Sequence, residues 1–195
     1  MAFFFGLEMG HVAVIIVDML KDNVEVPPPV GIGEEGRRII PQIKRLLQEA
    51  RRRGLFIVFA NDSFLPEDFI FQGTRMKPHC LAGTEGARVI SELEPQNSDL
   101  VLPKRRFSAF LGTGLDKLLR GRGVDTIAVA GISTPVCVLT TVLDGICYDF
   151  KTILLEDCCA AYRREAHEAV VNLYRRTAMY PLLQVMPLDQ FLSSL

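Results

Sequence analysis

No charge of either sign dominates this chain. Over 195 residues the formal net charge is -1, so no global field draws it to nucleic acid or to an anionic membrane surface. No apolar run approaches the roughly 18 residues needed to cross a bilayer. The opening stretch, residues 1–10 (MAFFFGLEMG), lacks a basic leader region and a clear small-residue cleavage site, so it does not read as a signal peptide. Cysteine is present without a framework: five residues, an odd number, at no regular spacing. That excludes a disulfide scaffold and points to free thiols in a reducing, cytoplasmic setting. Cys158 and Cys159 are adjacent, which is not a metal-ligand spacing. No internal repeat or linker breaks the chain. What remains is a single globular domain over residues 1–195, long enough to bury a sizeable core. Its 49% hydrophobic and 23% charged residues are the ordinary balance for that class.

Six short apolar runs stand out: residues 11–19, 54–61, 98–104, 124–131, 150–157 and 182–187. They are rich in β-branched residues and continuous rather than alternating, as strands covered on both faces are. Helical patterns lie between them. Ile39, Ile40, Ile43, Leu46, Leu47 and Ala50 recur at helical spacing, arginines oppose them, and Gly54 follows. Residues 113–120, 135–148 and 164–178 also fit helices. This alternation predicts a three-layer α/β fold, a mainly parallel six-stranded sheet with helices on both faces. The longest non-periodic stretch, about 61–85, is a loop of the length that usually serves function.

In such sheets ligands bind beyond the carboxyl ends of the strands. The polar residues there are Asp18, Asn61, Asp62, Lys104, the 131–137 segment and Asp157. Cys137 has a suggestive setting. Thr134 is a plausible N-cap and Pro135 suits the first helical position, which makes Cys137 the third residue of a helix. There its thiol would feel the positive end of the dipole, which lowers a cysteine pKa, and nearby N–H groups could hold an oxyanion. The local pattern leaves two readings, a nucleophile or a small buried residue. Taken singly, Asp18 could cap a turn and Lys104 could be a solvated charge.

Several segments, in order, resemble the isochorismatase and nicotinamidase superfamily of cysteine hydrolases. They are VIIVDML around Asp18, PHCLAGTEGARV, KRRFSAFLGTGLDKLL around Lys104, VAGISTPVCVLTT around Cys137 and EDCCAAYRREAHEAVV. The resemblance spans nearly the whole chain. It implies Cys137 as a nucleophile attacking an amide or ureido carbonyl to form an acyl-enzyme. Asp18 is implied as the proton acceptor and later donor, and Lys104 as the group holding the charges of that pair. It also implies an oxyanion hole from the N–H groups of Ser133 and Cys137, beside a non-proline cis peptide at Ile132–Ser133.

One departure separates this chain from the metal-dependent nicotinamidases. Asp62 and His79 remain, but Phe64 and Phe69 stand where two further histidine ligands are expected. Two donors make a poor zinc or iron site. The resemblance therefore favours cofactor-free and metal-free C–N hydrolysis, nearer to the N-carbamoylsarcosine amidohydrolase type, with the loop aromatics making that side of the pocket apolar. Phe64, Phe107, Thr134 and Tyr162 are candidates for the pocket wall, with core packing the alternative for the aromatics. Arg105 and Arg106 meet a substrate carboxylate, or are solvated, or pair with another subunit. His167 reads as a packing or capping residue. The expected partners are a small amide or ureido substrate and copies of the same chain, in a homodimer or homotetramer that covers Phe3, Phe4 and Phe5. Two rivals remain: a nicotinamidase with an altered metal site, and a non-catalytic or redox-sensing thiol protein on the same scaffold.

Overall fold

Each of the six apolar runs forms a strand. The computed structural model describes residues 11–195. Residues 1–10, with Phe3, Phe4 and Phe5, lie outside the described residues, and with them the apolar start from which self-association is expected. The strands are β1 (His11–Val17), β2 (Phe56–Asp62), β3 (Leu100–Lys104), β4 (Val124–Ile132), β5 (Lys151–Ala160) and β6 (Leu183–Met186). The helices are α1 (Lys21–Val24), α2 (Glu34–Arg38), α3 (Ile40–Arg52), α4 (Leu115–Arg120), α5 (Leu139–Cys147), α6 (Arg164–Arg175) and α7 (Leu188–Ser194). A π-helical turn, Thr134–Val138, precedes α5.

The sheet order is β3-β2-β1-β4-β5-β6, and every pairing is parallel. From β1 the chain winds outward to β3, then returns to the other side of β1 and winds out to β6. β1 and β4 flank the point where the winding reverses, which is where a crevice opens at the carboxyl edge.

β1 shows why the runs are continuous. Val12, Val14 and Ile16 face one layer, with Ile43, Leu46 and Leu47 of α3 and Phe191 of α7. Ala13, Ile15 and Val17 face the other, with Leu119 of α4, Val142 of α5 and Val171 of α6. Both faces are covered, so no polar alternation is called for. α3 buries the apolar stripe read from its sequence, and Gly54, at φ 69, turns the chain out of it.

Gly131 has a specific reason to be glycine. Its φ is 117, and a Cβ there would stand 2.1 Å from the carbonyl oxygen of Val17. This close approach lets β4 lie against the end of β1 just where the crevice begins.

Some elements differ from expectation. β5 does not end at Asp157 but continues through Cys158, Cys159 and Ala160, past an irregularity in its pairing with β4. α1, α2 and α7 are too short to give a periodic signal. The 61–85 loop is ordered: Phe64 N donates to Cys80 O (3.1 Å) and Ala82 N to Phe64 O (2.8 Å), while Phe69–Phe71 forms a 3₁₀ turn. Among the described residues no helix is long and apolar enough to cross a membrane.

Candidate active site

The carboxyl ends of β1, β3 and β4 bring three residues together that are far apart in sequence. Asp18 follows β1, Lys104 ends β3, and Cys137 lies in the π turn after β4. All three are buried. Lys104 Nζ donates to Asp18 Oδ2 (2.8 Å) and also to Asp62 Oδ1. The Asp62 N–H donates to Asp18 Oδ1 (2.7 Å), so both oxygens of Asp18 are held. Cys137 Sγ and carboxylate oxygens of Asp18 and Asp62 lie within 4.8 Å of one another.

The backbone aims Asp18. Its φ is 54, in the left-handed region that aspartate tolerates better than most residues. Its carbonyl accepts from Leu20 N (2.7 Å) and from Asn23 Nδ2 (3.0 Å). Its N–H donates to Ala60 O (3.1 Å). Asn23 was not singled out in the sequence, where nothing marks it apart from the other asparagines.

The electrostatics differ from the expected activated thiolate. Burial first, and then the charge of Asp18, push the Cys137 thiol well above its ordinary range. The N-terminal dipole does not prevail, because the helix opens as one buried turn facing two carboxylates. Burial works against the Lys104 ammonium, but the charges of Asp18 and Asp62 outweigh it and its pKa rises. Burial, and then Asp18, hold the Asp62 carboxyl well above the usual carboxylate range. The resting cluster thus holds a protonated thiol and an ammonium, with Asp62 drawn toward its neutral form.

Ser133, rather than Thr134, takes the N-cap position, and Val138 N reaches back to Ser133 O (3.3 Å), the spacing of a π turn. The Ile132–Ser133 peptide is cis. Among the described residues Ser133 N has no backbone acceptor, and Ser133 lines the crevice. Thr134 does not line it. Its buried hydroxyl lies 2.9 Å from His167 Nδ1 and ties α6 to the turn that holds Cys137. That gives His167 the packing role read from its sequence. Burial, followed by the charge of Arg38, lowers its pKa.

A cavity of about 420 Å³ opens above the thiol. Asp18, Asp62, Ser133 and Cys137 make its floor. Phe64, Phe107, Ile32 and Met76 wall it, and Arg75, Val136 and Tyr162 stand at the exposed mouth. Phe69 does not contribute, being 79% exposed. The second ring on that side is Phe71, edge-on to Phe64 (5.5 Å between centroids), and both rings meet the His79 ring. Arg105 and Arg106 are also elsewhere, both on Asp68. A backbone bond from Leu65 N and the Arg105 guanidinium bring that carboxyl down to about 2. Asp157 is not in the crevice. It accepts from Gln42 Nε2 (3.0 Å) and from Leu188 N (2.8 Å), which fastens α3 and α7 to β5.

The Asp62 and His79 pair does not suit a resident zinc or iron ion. Asp62 is engaged by Lys104, and His79 Nδ1 lies 2.8 Å from Lys77 O. Phe64 has no donor atom. The Lys104 ammonium already serves as the cation among the acidic oxygens of the floor.

Comparison with known proteins places these observations in a family. Residues 12–183 match the Isochorismatase domain. A maleamate amidohydrolase of Pseudomonas putida is 33% identical over 146 residues, 72% of this chain and 68% of that protein. An isochorismatase-like hydrolase from Alkaliphilus metalliredigens superposes with a TM-score of 0.84 at 31% identity, over 94% of this chain and 98% of the other. An N-carbamoylsarcosine amidase from Thermoplasma acidophilum gives 0.77 at 29% identity, over 90% and 95%.

Proposed function

This chain belongs to the isochorismatase family, and from that premise we propose that it hydrolyses the C–N bond of a small amide or N-carbamoyl compound through an acyl-enzyme on Cys137. The observation that carries the reading is the Asp18 carboxylate, fixed by the Lys104 ammonium and grouped with the Cys137 thiol on the floor of a small-molecule cavity. The amidase activities that the named relatives carry support the same bond type.

Because the thiol rests protonated, it loses its proton only as it attacks. Cys137 Sγ bonds to the carbonyl carbon while its proton passes to Asp18. The oxyanion is met by the N–H groups of Ser133 and Cys137. As the tetrahedral species collapses, Asp18 returns the proton to the leaving nitrogen and ammonia or an amine departs. Asp18 then takes a proton from water, whose oxygen attacks the thioester. Collapse releases the acid and restores the thiol. Lys104 holds Asp18 in place through its bond to Oδ2 and stays charged throughout.

The reading carries a homodimer or homotetramer with it. Its test is ammonia release from a panel of amides and N-carbamoyl compounds, nicotinamide included, with the Cys137→Ala protein as the blank. The expected result is turnover of at least one compound, no turnover by the variant, and an acyl adduct on Cys137 by intact mass after acid quench. Equal ammonia release by the variant overturns it.

A further inference from the structure

The turn after β4 carries three of the groups that the proposed chemistry uses: the N–H of Ser133 and both the N–H and the thiol of Cys137. It is a π turn, a rare form with a five-residue bond spacing, and its bond from Val138 N to Ser133 O is 3.3 Å long. α6 packs against it. Setting the reacting thiol aside, residues 133–138 make one side-chain hydrogen bond to another element among the described residues. It joins Thr134 Oγ1 to His167 Nδ1 on α6 (2.9 Å).

Burial settles the direction of that bond. Thr134 is fully buried, and its hydroxyl hydrogen has no other acceptor among the described residues. A buried O–H without an acceptor is costly, so Nδ1 accepts it and the ring carries its proton on Nε2. Burial, and then the charge of Arg38, disfavour the imidazolium, which has no lone pair to offer. His167 stands apart from the substrate crevice. It lines a separate cavity of about 480 Å³ with Arg38, Glu156 and Glu168, and the two cavities share no lining residue.

We propose that His167 is a positioning residue of the hydrolysis: its Nδ1 accepts the Thr134 hydroxyl and thereby fixes the turn from which the Ser133 and Cys137 N–H groups and the Cys137 thiol meet the substrate carbonyl. The inference rests on the proposed amide hydrolysis and assigns it a residue outside the crevice. The bond belongs to the first residue of the turn, three positions before the thiol and one after Ser133. Losing it frees the turn to shift against Asp18, and a shift of about 1 Å is enough to cost a reaction roughly 100-fold. The walls of the crevice stay in place, so substrate binding is spared.

The experiment measures kcat and KM for the best-hydrolysed compound of the amide and N-carbamoyl panel in wild type, His167→Phe, His167→Asn and Thr134→Val. His167→Phe keeps a ring but offers no acceptor, and should lower kcat by roughly 10- to 100-fold with KM within about threefold. Thr134→Val removes the hydroxyl from the other side and should do the same. The double variant should lose no more than the worse single one, as groups that act through one bond do. His167→Asn places an amide oxygen near the position of Nδ1 and should bring kcat back to within about fivefold of wild type. Iodoacetamide labelling of Cys137 at pH 7, relative to Cys147 in the same molecule, reads the turn without turnover. The ratio should rise at least about fivefold in His167→Phe and Thr134→Val, because the thiol drifts from the carboxylate that keeps it protonated. If His167→Phe does not fold, Thr134→Val carries the test. Where wild type turns over an amide, an unchanged kcat, a loss confined to KM, or no recovery in His167→Asn overturns the inference and leaves amide hydrolysis standing. If no compound releases ammonia, the proposed function fails. The labelling ratio then decides His167 alone, and an unchanged ratio overturns it.

Discussion

Removing the Lys104 ammonium tests the buried cluster directly. Lys104→Met keeps most of the side-chain volume but leaves Asp18 and Asp62 facing each other, with oxygens no more than 4.8 Å apart. At an effective dielectric constant near 20, two unit charges at that distance repel by about 3.5 kcal/mol. Breaking a buried ion pair from one side typically costs about 3–5 kcal/mol, a large part of the roughly 5–15 kcal/mol that holds a domain folded. The cost has a definite pH dependence. Asp62 already has a raised folded-state pKa, and losing the cation raises it further. The native state then binds more protons than the unfolded chain between the ordinary carboxylate pKa and the raised one. Stability therefore falls as pH rises through that window. Denaturant unfolding should show Lys104→Met losing roughly 3–5 kcal/mol at pH 8 and less at pH 5.5. Adding Asp62→Asn should recover at least about 1 kcal/mol, a non-additivity expected of groups in contact. A variant within about 1 kcal/mol of wild type at pH 8, or strict additivity with Asp62→Asn, would refute the reasoning.

Other expectations follow from the same geometry. Limiting iodoacetamide at pH 7 should modify exposed Cys147 before Cys137, and Cys137 labelling should climb steeply with pH, because burial and Asp18 hold its thiol protonated; mass mapping that finds Cys137 first at pH 7 would overturn that electrostatic account. Gly131→Ala should lower Tm by at least about 4 °C, since its backbone is left-handed and the new Cβ meets Val17 O; an unchanged melting curve would contradict it. Chelators should leave ammonia release unaltered and elemental analysis should find no stoichiometric zinc, iron or manganese; activity lost to chelation and restored by metal would show that Asp62 and His79 act as ligands. Light scattering at micromolar concentration should report a dimer or tetramer, and a monomer would refute the expected assembly.

The sheet was legible because its central strands are buried on both faces, and continuous β-branched runs have few other uses. α1, α2 and α7 were not, since four to seven residues carry too little periodicity. Asp18, Lys104 and Cys137 could be located as strand-end residues, but their meeting depends on strand order, which no local pattern states. Asp157 looked equivalent until β5 ran on past it. Side-chain direction in loops was the least legible level. Phe69 and Phe71 are two residues apart in the same 3₁₀ turn, and only Phe71 packs inward against Phe64 and His79. Arg105 and Arg106 are drawn off by Asp68, a carboxylate 37 and 38 positions away. Thr134 looked like a cap because a hydroxyl precedes a proline, yet its hydroxyl turns to His167 instead. The thiol's protonation failed to follow from the helix N-terminus because a dipole argument sees only its own helix, whereas Asp18 and Asp62 come from β1 and β2.

The positive charge beneath the floor is carried by the outermost strand. β3 has a neighbour on one side only, and Pro103, next to Lys104, offers no N–H to the sheet. Edge strands are where native proteins fray first, opening locally at a free energy well below that of global unfolding. Each such opening carries the ammonium away from β1 and leaves the rest of the sheet intact. If the proposed role of Lys104 holds, heat or mild denaturant that opens this five-residue strand should reduce ammonia release before global unfolding.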